Sequence, residues 1–275
     1  MPARYAVIGN PIAQSKSPSI HAAFAASTGQ DMTYERLLAP RDGFRAVVER
    51  FAAEGGMGLN VTSPFKLEAF EVAGETTERA KLAGAVNTLR RVGDHWQADN
   101  TDGVGLVRDL TVNLRADLRG RAVAILGAGG AVRGILKPIL DAGAASVAIS
   151  NRTMPKAVQI ASQFARYGRV EAIDPQAIGE RRFEIVINAT SLGMGGAPVD
   201  HFPFAGTLFA PGAFAYDLIY SDVPTAFMRW AREHGAGSAT DGMGMLVEQA
   251  AESFVLWRGV RPDTKPVFAL LRPAS

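Results

Sequence analysis

Short apolar runs alternate with longer helical patterns along most of the chain, and this alternation constrains the fold more than any other feature. In the N-terminal part, apolar runs that predict strands lie near residues 5–8, 33–37 and 58–61, and a helical pattern follows each of them. Such alternation is typical of βαβ units around a mostly parallel sheet. The sequence therefore predicts an α/β fold.

A second cycle of the same pattern begins at residue 122. Residues 122–126 form a continuous apolar run of the kind that is buried on both faces of a parallel sheet, and residues 146–150 predict the next strand. The C-terminal part contains an amphipathic helical pattern near residues 243–257. Because 275 residues exceed one typical core, we expect two lobes, with the C-terminal helices packing back on the first.

Composition excludes several classes of protein. Lys and Arg total 29 against 27 Asp and Glu and are scattered, so a nucleic-acid partner is not expected. The chain has no Cys, which excludes disulfides and thiolate metal sites, and its 4 His are too far apart in sequence to predict a metal site. No apolar stretch approaches the roughly 20 residues that span a bilayer. We therefore expect a cytoplasmic protein that binds neither a membrane nor a metal.

A glycine-rich turn follows the strand predicted at residues 122–126. Gly127-Ala128-Gly129-Gly130-Ala131 stands where a strand turns into a helix, and the N–H groups of such a helix start can bind a diphosphate. Val132 stands where the strict dinucleotide pattern has a small residue. Since an ordinary strand-to-helix connection can also be glycine-rich, this turn alone is weak evidence for a nucleotide site.

The end of the next predicted strand makes the nucleotide prediction more specific. The segment Asn151-Arg152-Thr153 follows that strand, and Lys156 comes one helical turn later. Residues 151–170 contain no Asp or Glu; the first acidic residue after the strand is Glu171. NAD sites place a carboxylate here for the ribose 2′-hydroxyl, whereas NADP sites use cations for the 2′-phosphate. An exposed loop arginine would be the ordinary alternative. Together with the glycine turn, the segment predicts NADP binding through Arg152.

Polar segments in the first lobe follow predicted strands or open predicted helices. They cover residues 10–18, 60–66, 87–88 and 99–103. Ligands of open parallel sheets bind beyond the carboxyl ends of the strands, where these segments should converge. Each has a structural explanation of its own, since Ser17 and Asp102 suit helix N-caps and Asn87 suits a turn. Together they predict a polar site for a small molecule.

Reduction of a ketone by hydride places negative charge on the carbonyl oxygen. The site therefore needs a hydrogen-bond donor that can also deliver a proton. Lys66 is the best candidate, and Asp102 would orient it and take part in the proton relay. A solvent-exposed lysine at a helix start is the commoner role of any single lysine.

These segments, with others in the same order, resemble the shikimate dehydrogenases over essentially the whole chain. The segments that carry the resemblance are residues 9–18, 60–66, 83–88, 99–103, 127–133, 151–153, 188–191, 216–220 and 241–250. The resemblance implies an NADP-dependent oxidoreductase that acts on a CH–OH group, converting 3-dehydroshikimate to shikimate on the route to chorismate and the aromatic amino acids. It also implies a discontinuous substrate-binding catalytic domain, residues 1–102 and 241–275, and a Rossmann-type NADP-binding domain, residues 103–240.

The resemblance also implies a role for individual residues. Lys66 and Asp102 correspond to the catalytic pair. The substrate-binding positions, with the serines on the carboxylate, are Ser15, Ser17, Thr62, Lys66, Asn87, Asp102, Tyr220 and Gln249. The cofactor-binding positions are Glu78, Gly127, Ala128, Gly129, Gly130, Ala131, Asn151, Arg152, Thr153, Lys156, Leu218 and Gly242.

Two alternative functions stay open at this point. The first is an enzyme that also accepts quinate, often with NAD, against which Ser15, Ser17 and Arg152 weigh. The second is a non-catalytic sensor of the same metabolites, whose expected signature is loss of the lysine or of the glycine turn; both are present. Oligomeric state, including a homodimer, is left open by the sequence.

Overall fold

A computed structural model describes residues 1–199 and 201–272 of the chain. Strands and helices alternate in this part of the chain, which confirms the predicted α/β class. In order they are β1 (Ala3–Gly9), α1 (Ser17–Thr28), β2 (Met32–Leu38), α2 (Phe44–Ala53), β3 (Gly56–Val61), α3 (Lys66–Glu71), β4 (Glu75–Thr76), α4 (Glu78–Ala83), β5 (Thr88–Val92), β6 (His95–Asp99), α5 (Asp102–Arg108), β7 (Ala122–Leu126), α6 (Gly130–Asp141), β8 (Ser146–Ser150), α7 (Met154–Phe164), β9 (Val170–Ala172), β10 (Phe183–Asn188), β11 (Phe209–Asp217), α8 (Ala226–Glu233), β12 (Ser238–Thr240), α9 (Met243–Arg258) and α10 (Lys265–Leu271). Within the described residues, no helix is both long and apolar enough to cross a bilayer.

The chain divides into two compact units. The first unit is Met1–Gly105 together with the chain from Val247 onward, and the second unit is Leu106–Leu246. The boundaries fall inside α5 and α9. Residues 241–246, which the sequence assigns to the substrate domain, belong by their contacts to the second unit.

The first unit contains a six-stranded sheet in the order β2-β1-β3-β5-β6-β4. β1 pairs in parallel with β2 and β3, whereas β5 runs antiparallel to both β3 and β6. The β5–β6 hairpin closes over Gly93 and Asp94, and Gly93 has the positive φ of 57° that such two-residue turns require. Because β5 is reversed, its first residue, Thr88, lies beside Asn60 near the end of β3 and Asp99 at the end of β6.

Helix α2 shows how the sequence builds the core of the first unit. Its buried side chains, Phe44, Val47, Val48 and Phe51, follow the spacing that places them on one face of a helix. They pack in one apolar cluster with Ile8, Leu59 and Val61 of the sheet. Full burial of one such side chain contributes about 1.5–3 kcal/mol. This packing keeps β1 and β3 adjacent, and the loops that carry the polar segments follow those two strands.

The second unit contains a six-stranded sheet in the order β12-β11-β10-β7-β8-β9, with all pairs parallel. This is the strand order of the doubly wound dinucleotide-binding fold, so the predicted Rossmann-type lobe is confirmed. The chain leaves β7 toward β8 on one side, and β10 pairs on the other side. Ligands of such sheets bind where the strand order reverses, beyond the carboxyl ends of β7 and β10.

Candidate active site

Lys66 and Asp102 are the first residues of α3 and α5, and their side chains meet. Lys66 Nζ donates to Asp102 Oδ2 at 2.5 Å. The Lys66 side chain is 32% exposed, whereas that of Asp102 is only 9% exposed. The structure thus places an ammonium group at the surface of the first unit with a largely buried carboxylate behind it.

Asn87 holds the other oxygen of the Asp102 carboxylate. Asn87 Nδ2 lies 2.8 Å from Asp102 Oδ1, 2.9 Å from Thr101 Oγ1 and 3.2 Å from Gln249 Oε1. The side-chain oxygen of Asn87, Oδ1, accepts from the Thr101 backbone N–H at 2.8 Å. Asn87 therefore joins three other predicted substrate-binding residues, Lys66, Asp102 and Gln249, in one connected cluster.

A layer of buried hydroxyls lies behind this cluster, and the sequence motifs do not single it out. The Thr88 and Ser253 hydroxyls are 2.8 Å apart, and Asn60 Nδ2 donates to Ser253 Oγ at 2.9 Å. Asn60 and Thr88 lie within the polar segments of the first lobe, but the sequence does not indicate a role for either of them. Ser253 could have been found from its position one helical turn after Gln249, on the same face of α9.

His21, on α1, is fully buried beside Asn60 and Tyr34. Its Nε2 lies 3.1 Å from Asn60 Oδ1, which also accepts from the Tyr34 hydroxyl at 2.7 Å, and its ring stacks on Tyr34 with centroids 4.2 Å apart. Burial lowers the pKa of His21 to about 3. His21 is therefore neutral near pH 7, and its contact with an acceptor assigns the proton to Nε2.

The serine segment lies between β1 and α1. The backbone N–H of Ser17 donates to Ser15 Oγ at 3.3 Å, so the hydroxyl hydrogen of Ser15 can point outward to an acceptor. The Ser17 hydroxyl bonds to Tyr34 instead. The N-cap of α1 is Lys16 rather than Ser17, and its side chain makes no capping hydrogen bond.

Thr62 follows β3, where it packs against the end of β1. A Cβ atom on Gly9 would lie 2.5 Å from Thr62 Cγ2, so the two strand ends approach this closely only with glycine at position 9. The Thr62 N–H donates to the carbonyl of Ile8 at 3.0 Å. Thr62 therefore lies beside the chain that leads into the serine segment.

The glycine turn of the second unit lies between β7 and α6. Gly127 has a φ of 118°, and a Cβ atom there would lie 2.8 Å from the carbonyl oxygen of Ala189, so both conformation and space require glycine. Nothing lies within 4 Å of the Cβ positions of Gly129 and Gly130. Gly129 is the N-cap of α6 and no side chain caps the start of that helix, so its first N–H groups can donate to a diphosphate.

Val132 does not disturb this turn. Its side chain is fully buried within the first turn of α6 and packs into the interior. The departure from the strict dinucleotide pattern therefore leaves the start of the helix open.

The predicted 2′-phosphate residues follow β8, which is next to β7. Gly127 N–H donates to the carbonyl of Ser150, the last residue of β8, at 2.7 Å. Asn151 Nδ2 donates to the carbonyl of Thr153 at 3.0 Å, and Arg152, Thr153 and Lys156 are exposed. The glycine turn, an exposed guanidinium and an exposed ammonium thus lie at one edge of the same sheet, an arrangement that fits NADP.

Leu218 and Gly242 also come together in the second unit. A Cβ atom on Gly242 would lie 2.4 Å from the Leu218 carbonyl oxygen, and Gly242 N–H donates to the carbonyl of Ile219 at 3.0 Å. Leu218 N–H donates to the carbonyl of Asn188 at 2.9 Å. Tyr220, half-buried, is two residues further along the same segment.

The carboxylate of Asp217 supports this segment from inside. Its Oδ1 accepts from Asn188 Nδ2 at 2.9 Å and from the Ile219 N–H at 3.1 Å. Burial raises the pKa of Asp217 to about 6, and the nearby carboxylate of Asp241 adds to the shift. The sequence motifs contain Asp217 and Asn188 without indicating that they pair.

Glu78 belongs to a different unit from the other predicted cofactor residues. It is the exposed first residue of α4 in the first unit, whereas the others lie in the second unit. Among the described residues, no group of three or more His, Asp or Glu side chains is arranged to hold a metal ion.

Comparisons with known proteins point to one family. Three family models match the chain: the shikimate dehydrogenase substrate binding domain at residues 7–89, shikimate / quinate 5-dehydrogenase at 109–193, and the shikimate 5′-dehydrogenase C-terminal domain at 242–272. The NADP(+) shikimate dehydrogenase of Alkalilimnicola ehrlichii is 52% identical over 98% of both chains, and that of Chromobacterium violaceum is 54% identical over 98% of this chain and 97% of its own.

Two solved structures are similar over nearly the whole length. The Ael1 enzyme from Pseudomonas putida has a TM-score of 0.92 at 45% identity, covering 99% of each chain. The shikimate 5-dehydrogenase from Thermus thermophilus, in complex with NADP(H) and shikimate, has a TM-score of 0.85 at 31% identity, covering 96% of each chain. The chain belongs to the shikimate dehydrogenase family.

Proposed function

We propose that this protein catalyses the reversible NADPH-dependent reduction of 3-dehydroshikimate to shikimate. The observation that carries the proposal is the contact of Lys66 Nζ with Asp102 Oδ2 at 2.5 Å. It provides a half-exposed proton donor, oriented by a carboxylate, in the middle of the polar cluster of the first unit. The product would enter the route to chorismate and the aromatic amino acids, and the proposed location of the protein is the cytoplasm.

Lys66 acts on the oxygen of the reacting carbonyl. NADPH, when bound, would supply the hydride to the ring carbon, and the carbonyl oxygen would then need a proton. The ammonium of Lys66 stabilises the charge that develops on this oxygen and delivers the proton. Asp102 fixes the direction of that ammonium, and Asn87 fixes Asp102 by its bond of 2.8 Å to the other carboxylate oxygen.

The substrate would be recognised by polar groups that differ along its length. Ser15, whose hydroxyl hydrogen can point outward, and Ser17, after rotation of its hydroxyl, bind the carboxylate. The ring hydroxyls are assigned to Thr62 and to the cluster of Asn87, Asp102 and Gln249, and Tyr220 is a further substrate-binding position. These assignments make the first unit the substrate-binding domain.

The second unit would bind NADP. Gly127, Ala128, Gly129, Gly130 and Ala131 would take the diphosphate, and Asn151, Arg152, Thr153 and Lys156 the adenosine 2′-phosphate. Leu218 and Gly242 would lie along the nicotinamide, and Glu78 would contribute from the first unit. The arrangement that supports this assignment is the exposed Arg152 at the edge that carries the glycine turn.

A steady-state assay tests the proposal directly. The purified protein would be assayed with shikimate and with quinate, each with NADP and with NAD. We expect kcat/KM to be highest for shikimate with NADP. A higher value for quinate, or for NAD, would favour a quinate/shikimate dehydrogenase instead, and no turnover with any pair would favour a binding protein.

A further inference from the structure

Strand β2 presents two polar side chains to the serine segment, and neither belongs to the motifs of the family resemblance. Tyr34 and Arg36 are two residues apart in an extended strand, so their side chains lie on the same face of the sheet. Tyr34 stacks on His21 of α1, which identifies this face as the one that α1 covers. Both side chains therefore point toward the side on which α1 begins.

Arg36 holds the backbone of Ser15. Its Nε and Nη2 both donate to the carbonyl oxygen of Ser15, at 3.1 Å and 2.6 Å. The N–H of Ser15 donates to the carbonyl of Ile12 at 3.1 Å, so both peptide groups of this residue are fixed. Since Tyr34 bonds to the Ser17 hydroxyl, each serine is held by one side chain of β2.

The charge of Arg36 is not neutralised by this contact. A carbonyl oxygen is a neutral acceptor, and within the described residues Arg36 takes part in no ion pair. The neighbouring Glu35 instead pairs with Arg4 at 3.0 Å. A guanidinium stays positive at any pH at which the protein is folded. The serine segment therefore lies beside a permanent positive charge.

We propose that Arg36 is a positioning residue for carboxylate recognition. Its forked contact fixes Ser15 so that the Ser15 hydroxyl faces the bound anion, and its charge makes an anionic ligand preferred over a neutral one. The proposal rests on the assignment of Ser15 and Ser17 to the substrate carboxylate. It adds that Arg36, a residue of β2, determines how strongly the two serines prefer an anionic ligand over a neutral one.

The test compares a charged ligand with its neutral analogue. Binding of shikimate and of shikimate methyl ester would be measured by calorimetry for the wild type, Arg36→Gln and Arg36→Lys. We expect Arg36→Gln to weaken shikimate by about fivefold to tenfold, between the effect of an exposed ion pair and that of a buried charge-assisted hydrogen bond. The ester should change by less than about twofold, because it has no charge to lose. Arg36→Lys should recover part of the affinity, because lysine keeps the positive charge but cannot make the two-donor contact with the Ser15 carbonyl.

Arg4→Gln is the matched control. Arg4 is also a β-strand arginine that donates to a backbone carbonyl outside its own strand, that of Glu54 at 2.9 Å. It is the second residue of β1, whereas the serine segment follows the other end of that strand. It should bind both ligands as the wild type does. In steady-state kinetics, Arg36→Gln should raise KM for shikimate and leave kcat and KM for NADP almost unchanged.

Two results would overturn the proposal: unchanged affinity of Arg36→Gln for shikimate, or equal losses for shikimate and its ester. The second result would mean that Arg36 supports the fold of the loop only. Because binding is measured without turnover, a wild type that binds shikimate but does not oxidise it would contradict the proposed reaction and leave the role of Arg36 testable.

Discussion

Lys66 and Asp102 each begin a separate helix, and their side chains nevertheless meet at 2.5 Å. The contact depends on the reversed direction of β5, because Asn87 immediately precedes that strand and donates to Asp102 at 2.8 Å. The direction of the Lys66 ammonium is therefore set by Asp102 and, through Asp102, by Asn87.

Substitution of Lys66 should remove chemistry rather than binding. We expect Lys66→Ala to lower kcat by at least about 100-fold, the usual effect of losing a positioned acid or base, with a much smaller change in KM for shikimate. Lys81→Ala is the control, since Lys81 is an exposed lysine of the same unit. Initial rates across the pH range test this, and a Lys66→Ala variant with near-normal kcat would exclude Lys66 as the proton donor.

Substitution of Arg152 should change the choice of cofactor. If one charge-assisted contact contributes about 1.5–3 kcal/mol, Arg152→Ala should weaken NADP by about 10- to 150-fold and leave NAD almost unchanged. The control is Arg169→Ala. Arg169 is also exposed, but it precedes β9 and therefore lies at the amino ends of the parallel strands, whereas Arg152 follows β8 at their carboxyl ends. Values of kcat/KM for both cofactors decide the question: equal losses with NADP and NAD would assign Arg152 to the fold alone.

The buried His21 should make the protein sensitive to acid. Its folded pKa of about 3 is below the ordinary value of 6.5, so the unfolded chain binds the proton first and stability falls as pH decreases below 6.5. Between pH 7.5 and pH 5 this costs about 2 kcal/mol. His21→Phe, which keeps the stacking on Tyr34, should lose this component, whereas His201→Gln, at an exposed histidine, should keep it.

The measurement is the free energy of unfolding in urea at both pH values for wild type and variants. A wild type and a His21→Phe variant with parallel pH profiles would show that His21 can be protonated without unfolding.

Asp217 should act in the opposite direction. Its folded pKa of about 6 is above the ordinary 3.8, so the folded state retains the proton longer and this contribution to stability decreases as pH rises from about 4 to 6. Asp217→Asn keeps the oxygen that accepts from Asn188 and Ile219 but never acquires the charge. Relative to wild type, the variant should therefore gain about 2 kcal/mol between pH 4 and pH 7.5.

Comparison with wild type at each pH is essential here, because the His21 and Asp217 contributions partly cancel between pH 4 and 6. Urea unfolding of Asp217→Asn supplies it. A constant difference from wild type at all pH values would contradict a raised pKa at Asp217.

The sequence by itself determined the features that depend on neighbours along the chain. The apolar run of β7, the glycine turn after it and the cationic segment after β8 predict a dinucleotide fold, because strand burial, turn conformation and helix starts are local properties. The helix α2 and the long C-terminal helix α9 likewise follow from residue spacing. These elements lie in the structure close to where their patterns place them.

Only the tertiary structure decided how distant residues pair. The antiparallel β5–β6 hairpin was not predicted, and it brings Asn87 beside Asp102, Thr101 and Gln249. The contacts of Ser253 with Thr88, and of Arg36 with Ser15, join residues from different elements. No local pattern encodes such contacts, because they depend on strand order and on which faces of the elements pack together, and both are fixed by burial of the whole core.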